Sequence, residues 1–214
     1  MNSAEFQRRL LERLDASGLR LGAPTLSLLE IYFRLLTHWN KRINLTSLRL
    51  EPVSDEALDR LLIEPLAAAK YVSEVSIRWV DLGSGGGSPS IPLKVARPSA
   101  KVTLIESRSR KAAFLREVVR ELDFSDVDVV NERFEETSAR PELSGMIDLV
   151  TVRAVRIDTP MAEAARRLLR ADGQLMLFSS RRQANALAIA GLIQTVSVRL
   201  VPGGESHLII LRLD

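Results

Sequence analysis

The sequence predicts an α/β fold, with a mostly parallel seven-stranded sheet, helices on both faces, an antiparallel last strand and an N-terminal helical extension. Three observations lead to this prediction. Up to residue 74 apolar residues recur at helical spacing, whereas from residue 75 short β-rich runs alternate with amphipathic segments. The last two β-rich runs are joined only by Pro202-Gly203-Gly204, and strands joined by so short a turn run antiparallel. We therefore divide the chain into residues 1–74, the extension, and residues 75–214, the sheet domain.

The extension contains several predicted helices. The first spans Ala4 to Ser17 and the second runs from Pro24 to Trp39. A third begins near Ser54, whose hydroxyl suits an N-cap. We expect it to end near Glu64-Pro65, because a residue before proline avoids helical angles, and a further short helix to reach Val72.

The sheet domain is predicted to alternate strands with helices. The strands are expected at Arg78–Leu82, Lys101–Glu106, Val127–Asn131, Ile147–Val152, Gln174–Phe178, Thr195–Leu200 and Ser206–Leu211. The helices are expected at Pro89–Ala96, Ser109–Leu122, Thr159–Leu169 and Arg182–Ala190. This layout is typical of the Rossmann-like class I methyltransferases, which use S-adenosylmethionine.

Composition excludes several kinds of site. The chain of 214 residues has no cysteine, which excludes disulfides, thiolate metal sites and a cysteine nucleophile. With His38 and His207 as the only histidines we expect no metal. No apolar run approaches the roughly 18 residues of a membrane helix and no signal-peptide core opens the chain, so we expect a cytoplasmic protein without membrane contact.

The positive charge is unevenly distributed along the chain, which is compatible with a nucleic-acid partner. The net charge is only +3, but the isoelectric point is about 9.6. Arginine, whose planar fork can bond two phosphate oxygens, is concentrated in one segment. Its positions there are 153, 156, 166, 167, 170, 181 and 182. A solvated helix face is the alternative interpretation.

A glycine-rich turn from Asp81 to Ser88 follows the first strand and precedes a helix. Glycines such as Gly83 and Gly85 let the backbone turn sharply and approach a ligand closely. The dinucleotide-binding pattern would need glycine where Ser88 stands, and a pyrophosphate would be repelled by Asp81. S-adenosylmethionine has no phosphate and carries an ammonium and a sulfonium, so the turn favours that cofactor.

Two further segments complete the predicted cofactor site. Glu106 ends the second strand, where an acidic residue typically accepts hydrogen bonds from ribose hydroxyls. Just past the third strand, Phe134 is placed to pack on the adenine ring and Glu135 to face its amino group, although Phe134 could also be ordinary core.

Two missing sequence features narrow the choice of the base atom that accepts the methyl group. Methylation of pyrimidine carbon 5 generally needs a cysteine nucleophile, which the chain lacks. The Asn/Asp-Pro-Pro-aromatic motif common in amine methylation is missing after the fourth strand, where Val152-Arg153-Ala154 stands. A ring nitrogen such as guanine N7 has a free lone pair, and alignment alone supplies most of the catalysis.

Several segments together resemble the bacterial 16S ribosomal RNA guanine-N7 methyltransferase family, methyltransferase G, also called the glucose-inhibited division protein B family. The resemblance runs from about Leu26 to the C terminus. It rests on His38–Ser47, with its Trp-Asn-Lys-x-x-Asn-Leu-Thr stretch, on Asp81–Gly85, Ile91–Leu93, Ile105–Ser107 with Arg110-Lys111 and Phe114-Leu115, and on Val152–Ala154.

The resemblance implies roles for individual residues. Cofactor contacts are implied at Gly83, Ser88, Phe134, Glu135 and Arg153, and Arg153 is also the candidate catalytic residue. The RNA side is assigned to Lys41, Arg42, Asn44, Arg60 and Arg156. The implied partner is ribosomal RNA in the small subunit, bound by a monomer. As alternatives, Lys41 and Arg42 could be solvated and Asn44 could cap a helix.

The chain departs from the family pattern on the substrate side. The third helix usually reads Arg-His-x-x-Asp-Ser, but only Arg60 is kept here, with Glu64-Pro65 at the end. Where the family has an aromatic residue or leucine followed by Pro-Gly, this chain has Ser88-Pro89-Ser90. Where the family has Lys-Gly, it has Ser179-Ser180. Two alternatives therefore stay open beside RNA methylation: an altered or inactive RNA-binding relative, and a small-molecule methyltransferase.

Overall fold

Seven strands in the described part of the chain form one mixed sheet in the order β3-β2-β1-β4-β5-β7-β6. The computed structural model describes residues 3–180 and 191–214, so the helix expected at Arg182–Ala190 lies outside the described residues. Strands β1 to β5 run parallel, and β7 runs antiparallel to both of its neighbours. The predicted fold class is therefore confirmed.

The strands lie close to their predicted positions. They are β1 Arg78–Leu82, β2 Lys101–Ile105, β3 Val127–Val130, β4 Ile147–Arg153, β5 Leu169–Ser180, β6 Leu192–Arg199 and β7 Ser206–Leu213. The largest difference is at β5, which begins directly after the preceding helix instead of at Gln174. The pairing register of β4 with β5 shifts between Ile147 and Leu149, and this irregularity admits the earlier residues of β5 to the ladder.

The helices surround the sheet. The α-helices are α1 Ser3–Ala16, α2 Ala23–Asn40, α3 Asp55–Leu58, α4 Glu64–Ala68, α5 Ser90–Ala96, α6 Ser109–Glu121, α7 Phe134–Ser138 and α8 Thr159–Leu168. Short 3₁₀ turns span Ala69–Tyr71 and Pro141–Leu143. Helix α7 was not predicted, because five residues carry too little periodicity.

The predicted end of the third helix near Glu64-Pro65 is wrong. A π-helical turn, Asp59–Ile63, connects α3 to α4, and the helical path continues to Tyr71. Glu64 keeps helical angles, φ −58° and ψ −48°, although it precedes proline. Its N–H donates to the carbonyl of Asp59, five residues back, so Pro65 enters a new helical turn where its missing N–H is tolerated.

The two faces of the sheet bury different layers because successive strand residues point to opposite sides. Trp79 belongs to the larger core cluster, which includes Phe6 and Leu36 of the N-terminal helices. Val80 belongs to the second cluster, which α8 covers through Met161. The N-terminal helices thus share one continuous core with the sheet. Within residues 3–180 and 191–214, no helix is both long and apolar enough to cross a membrane.

Candidate active site

The glycine-rich turn after β1 is held in a conformation that needs its glycines. Gly83, Gly85 and Gly87 have φ values of +74°, +53° and +85°, in the left-handed region that disfavours side chains. A Cβ on Gly83 would lie 2.5 Å from the Cγ2 of Val155. The turn therefore packs directly against the segment that follows β4, and no side chain fits between them.

Helix α2 supports the same turn from the opposite side. The hydroxyl of Tyr32 donates to the carbonyl of Gly86 at 2.6 Å, and a Cβ on Gly86 would lie 3.3 Å from Leu36. Burial raises the pKa of Tyr32, which keeps this hydroxyl a donor. The N-terminal extension is thus part of the framework of the site.

Glu106 ties the turn to the end of β2. Its side chain is buried, and its two carboxylate oxygens accept from the N–H of Gly85 at 2.9 Å and of Arg108 at 2.8 Å. Each carboxylate oxygen has two lone pairs, so both retain acceptor capacity toward a ligand. Asn131, at the end of β3, donates to the Glu106 carbonyl at 2.8 Å and fixes the backbone there.

Asp81 lies beneath the turn, 1% exposed. One carboxylate oxygen accepts from the hydroxyl of Thr151 at 2.5 Å, while the other, Oδ2, has no hydrogen-bond partner among the residues that the structure describes. Burial raises the pKa of Asp81 because the charged form loses its hydration, although hydrogen bonds from Thr151 and Ser84 oppose the shift. An unpartnered buried carboxylate oxygen favours a nearby positive charge.

A cavity of about 600 Å³ opens above this turn, at the carboxyl ends of the parallel strands. It brings together predicted residues from both halves of the site. They are Gly83, Gly85, Ser88, Glu106 and Arg153 of the cofactor set, and Asn44 and Arg60 of the RNA set. The volume falls within the range of small-ligand pockets.

The other predicted residues lie outside the lining of this cavity. Phe134 begins α7 and packs, partly buried, against the second core cluster, while Glu135 is exposed. Lys41 forms an exposed ion pair with Glu51 at 2.7 Å. Arg42 is exposed, and the side chain of Arg156 is 89% exposed, 4.0 Å from Asp158. Asp81 is buried beneath the turn and is not among the residues that line the cavity.

Arg153 ends β4 and is held by a buried ion pair. Its guanidinium donates to the carboxylate of Glu64 and to the carbonyl of Arg60, and lies 5.1 Å from the Phe178 ring centroid. Burial, followed by the charge of Arg60, lowers the pKa of Arg153 to about 9, so the group is protonated at neutral pH. Glu64, a departure from the family pattern, is therefore the counter-ion of the candidate catalytic residue.

Several residues that shape the site were not predicted to do so. Asn40 accepts from the N–H of Leu45 at 2.9 Å and of Thr46 at 3.0 Å, which folds the segment lining one wall of the cavity. Its position in the Trp-Asn-Lys stretch was the available signal. Ala154 adopts φ +57°, and no local sequence signal identifies a non-glycine residue in that conformation.

Comparison with known proteins identifies the family. Residues 25–201 match the family model described as GidB, rRNA small subunit methyltransferase G. A ribosomal RNA small subunit methyltransferase G of Chromobacterium violaceum is 35% identical, over 98% of this chain and 97% of that protein. A protein of the same name from Rubrobacter xylanophilus is 42% identical, over 75% of this chain and 60% of that protein.

Solved structures support the fold at low identity. A SAM-dependent methyltransferase from Aquifex aeolicus has a TM-score of 0.57 at 13% identity, over 77% of this chain and 97% of that one. A mutant of MtNAS in complex with S-adenosylmethionine has a TM-score of 0.58 at 15% identity, over 89% of this chain and 77% of that one. The glycine turn, Glu106 and residues 44–46 of the family's Trp-Asn-Lys stretch line one cavity, and the matches above show that the chain belongs to the rRNA small subunit methyltransferase G family.

Proposed function

We propose that the chain is a transferase of rRNA processing that binds S-adenosylmethionine in the cavity and methylates N7 of a guanine in 16S ribosomal RNA. The observation that carries this proposal is that the glycine turn and Glu106 line one cavity together with Asn44 and Arg60. The site therefore has a cofactor wall and a polar wall from the N-terminal helices. The second wall is where RNA would approach.

The residues present fit the cofactor. Gly85 leaves open the space that a Cβ would take, and the remaining lone pairs of Glu106 can accept from ribose hydroxyls. The unpartnered oxygen of Asp81 supplies negative potential for the ammonium and sulfonium charges. Phe134 and Glu135, just past β3, are proposed to border the adenine.

Methyl transfer to guanine N7 requires the protein mainly to align the methyl group with the N7 lone pair. S-adenosylmethionine supplies an electrophilic methyl group on a sulfonium, which leaves as a neutral thioether. The N7 lone pair of guanine needs no deprotonation, so the residues of the site act mainly by orienting both partners and excluding water. Arg153 and Ser88, hydrogen-bonded at 3.1 Å, are proposed to fix the reacting end of the cavity.

The RNA side is proposed from the positions of the basic residues. Arg60 lines the cavity, and Lys41, Arg42 and Arg156 are exposed and able to reach phosphates of an RNA lying over it. We further propose that the protein acts as a monomer on the small ribosomal subunit in the cytoplasm, without a metal. We also propose that the chain divides into an N-terminal extension, residues 1–74, and a methyltransferase domain, residues 75–214.

The test combines cofactor binding with label transfer. Calorimetry with S-adenosylhomocysteine, followed by transfer of a labelled methyl group to small-subunit RNA, should show both binding and incorporation. Glu106→Ala should weaken cofactor binding at least tenfold, since a charge-assisted contact is lost. Cofactor binding without incorporation, together with a gel shift of the RNA, would instead support the inactive RNA-binding relative. Incorporation into a small molecule alone would support the third alternative.

A further inference from the structure

Two backbone carbonyls of the π-helical turn Asp59–Ile63, which precedes Pro65, have no helical N–H to accept from. In an α-helix the carbonyl of Leu61 would accept from the N–H of residue 65, but proline has none. The carbonyl of Arg60 would accept from Glu64, whose N–H instead donates to Asp59 across the π-helical turn. Both carbonyls belong to residues that line the cofactor cavity.

The two carbonyls accept hydrogen bonds from the site instead. The hydroxyl of Ser88 donates to Leu61 at 3.0 Å, and one guanidinium nitrogen of Arg153 donates to Arg60. The same nitrogen donates to the Ser88 hydroxyl oxygen at 3.1 Å. The Leu61 contact is partly buried, and backbone carbonyls shielded from water are almost always hydrogen-bonded, so the Ser88 hydroxyl takes the place of the missing helical donor there.

The carboxylate of Glu64 completes this arrangement. It accepts from the second guanidinium nitrogen of Arg153, and the two side chains are 3% and 10% exposed. A buried arginine with one carboxylate and one carbonyl acceptor is fixed in orientation, because its donors have rigid geometry. The end of the glycine turn and the end of β4 are thereby joined to one point of the third helix.

We propose that Pro65 and Glu64 are positioning residues for the methyl transfer, a proposal that rests on the function proposed above. Pro65 withholds the N–H that would otherwise occupy the Leu61 carbonyl, which keeps that acceptor for Ser88. Glu64 orients Arg153. Neither residue needs to touch the cofactor or the RNA, since both act through the two side chains that line the cavity.

The first test is a double-mutant cycle on stability, which does not depend on cofactor. Ser88→Ala in the natural background leaves the Leu61 carbonyl unsatisfied and should lower the free energy of unfolding. In the Pro65→Ala background the alanine backbone supplies an N–H to that carbonyl, so Ser88→Ala should cost half as much or less. Pro24→Ala, also in the first turn of a helix but far from the cavity lining, is the control and should show no coupling. Additive effects of Ser88→Ala and Pro65→Ala would overturn the proposal.

The second test measures cofactor use. Pro65→Ala should raise the KM for S-adenosylmethionine about fivefold, as expected for one lost hydrogen bond, with kcat changed less than twofold. A structural effect alone would lower the active fraction and leave KM unchanged. If the wild-type protein neither binds S-adenosylhomocysteine nor transfers methyl groups, the proposed function fails, while the stability cycle still decides the role of Pro65.

The role of Glu64 is tested on the Arg153 side chain itself. In ¹⁵N spectra the Arg153 guanidinium protons should exchange slowly with water in the wild-type protein. Glu64→Gln should speed that exchange about tenfold or more, and Glu64→Asp should restore part of the protection because the charge is kept. Equal exchange in the wild type and in Glu64→Gln would overturn the role assigned to Glu64.

Discussion

At the scale of single residues, the site depends on positions where geometry leaves no alternative. Gly83 combines a left-handed backbone with the closest contact in the glycine turn, since a Cβ added to it would lie 2.5 Å from the Cγ2 of Val155. The sequence pattern predicted that glycine was needed there. It could not identify Val155 as the reason, because that contact joins segments 72 residues apart, 155 − 83.

Gly83→Ala should displace the turn and weaken S-adenosylhomocysteine binding more than tenfold, with about 1–3 kcal/mol lost from the free energy of unfolding. Calorimetry and denaturant titration measure the two effects. Gly203→Ala is the matched control: its φ is also +74°, but no atom of the described residues lies within 4 Å of its added Cβ. Equal losses in the two variants would show that backbone strain, and not the contact with Val155, is responsible.

Asp81→Asn should raise Tm at neutral pH and weaken cofactor binding. The raised pKa of Asp81 means that its buried carboxylate costs stability when charged. As the pH falls, the folded state takes up this proton before the unfolded chain does, so the wild-type protein recovers. The Tm advantage of the variant should therefore shrink toward pH 3.8, the ordinary value of the carboxyl pKa. A difference in Tm that is constant with pH would contradict this account.

At the scale of elements, local sequence patterns predicted most ends of the strands and helices. They failed where tertiary contacts determine the end of an element. The bounds of β1 were predicted correctly because the strand carries β-rich residues directly before the glycine turn. The end of the third helix was predicted wrongly at Pro65, since the rule about proline is local. The π-helical turn is compatible with that proline because Ser88 and Arg153 supply the missing donors.

The segment after α2 gives an element-scale prediction. Asn40→Ala removes the acceptor of two backbone N–H groups, those of Leu45 and Thr46, and should cost about 1–3 kcal/mol of stability. Cofactor binding should weaken as well, because residues 44–48 line the cavity. Asn40→Asp keeps an acceptor oxygen and should recover most of both quantities. If Asn40→Asp is as damaged as Asn40→Ala, the hydrogen bonds are not what orders this segment.

At the scale of the whole molecule, the N-terminal helices and the sheet form one core. The layout of strands and helices was predictable from periodicity, and the glycine turn and Glu106 from their positions in that layout. The packing of Tyr32 and Leu36 against the glycine turn was not, because no pattern within α2 shows which surface it covers.

A chain truncated to residues 75–214 should fail to fold. It would expose the face of the sheet around Trp79 and remove the Tyr32 hydrogen bond to Gly86. Circular dichroism and cooperative thermal unfolding provide the measurement, with the full chain as the control. A truncated chain that melts cooperatively and binds S-adenosylhomocysteine would show instead that the sheet domain is independent.

The proposed methylation of guanine N7 is tested by identifying the nucleoside that receives the methyl group. Small ribosomal subunits lacking this modification are incubated with the protein and S-adenosylmethionine, and the 16S RNA is digested and analysed by mass spectrometry. We expect one new 7-methylguanosine per RNA, which is absent when Glu106→Ala replaces the wild-type protein. A methyl group on a different base, or none from a protein that binds the cofactor, would contradict the proposal.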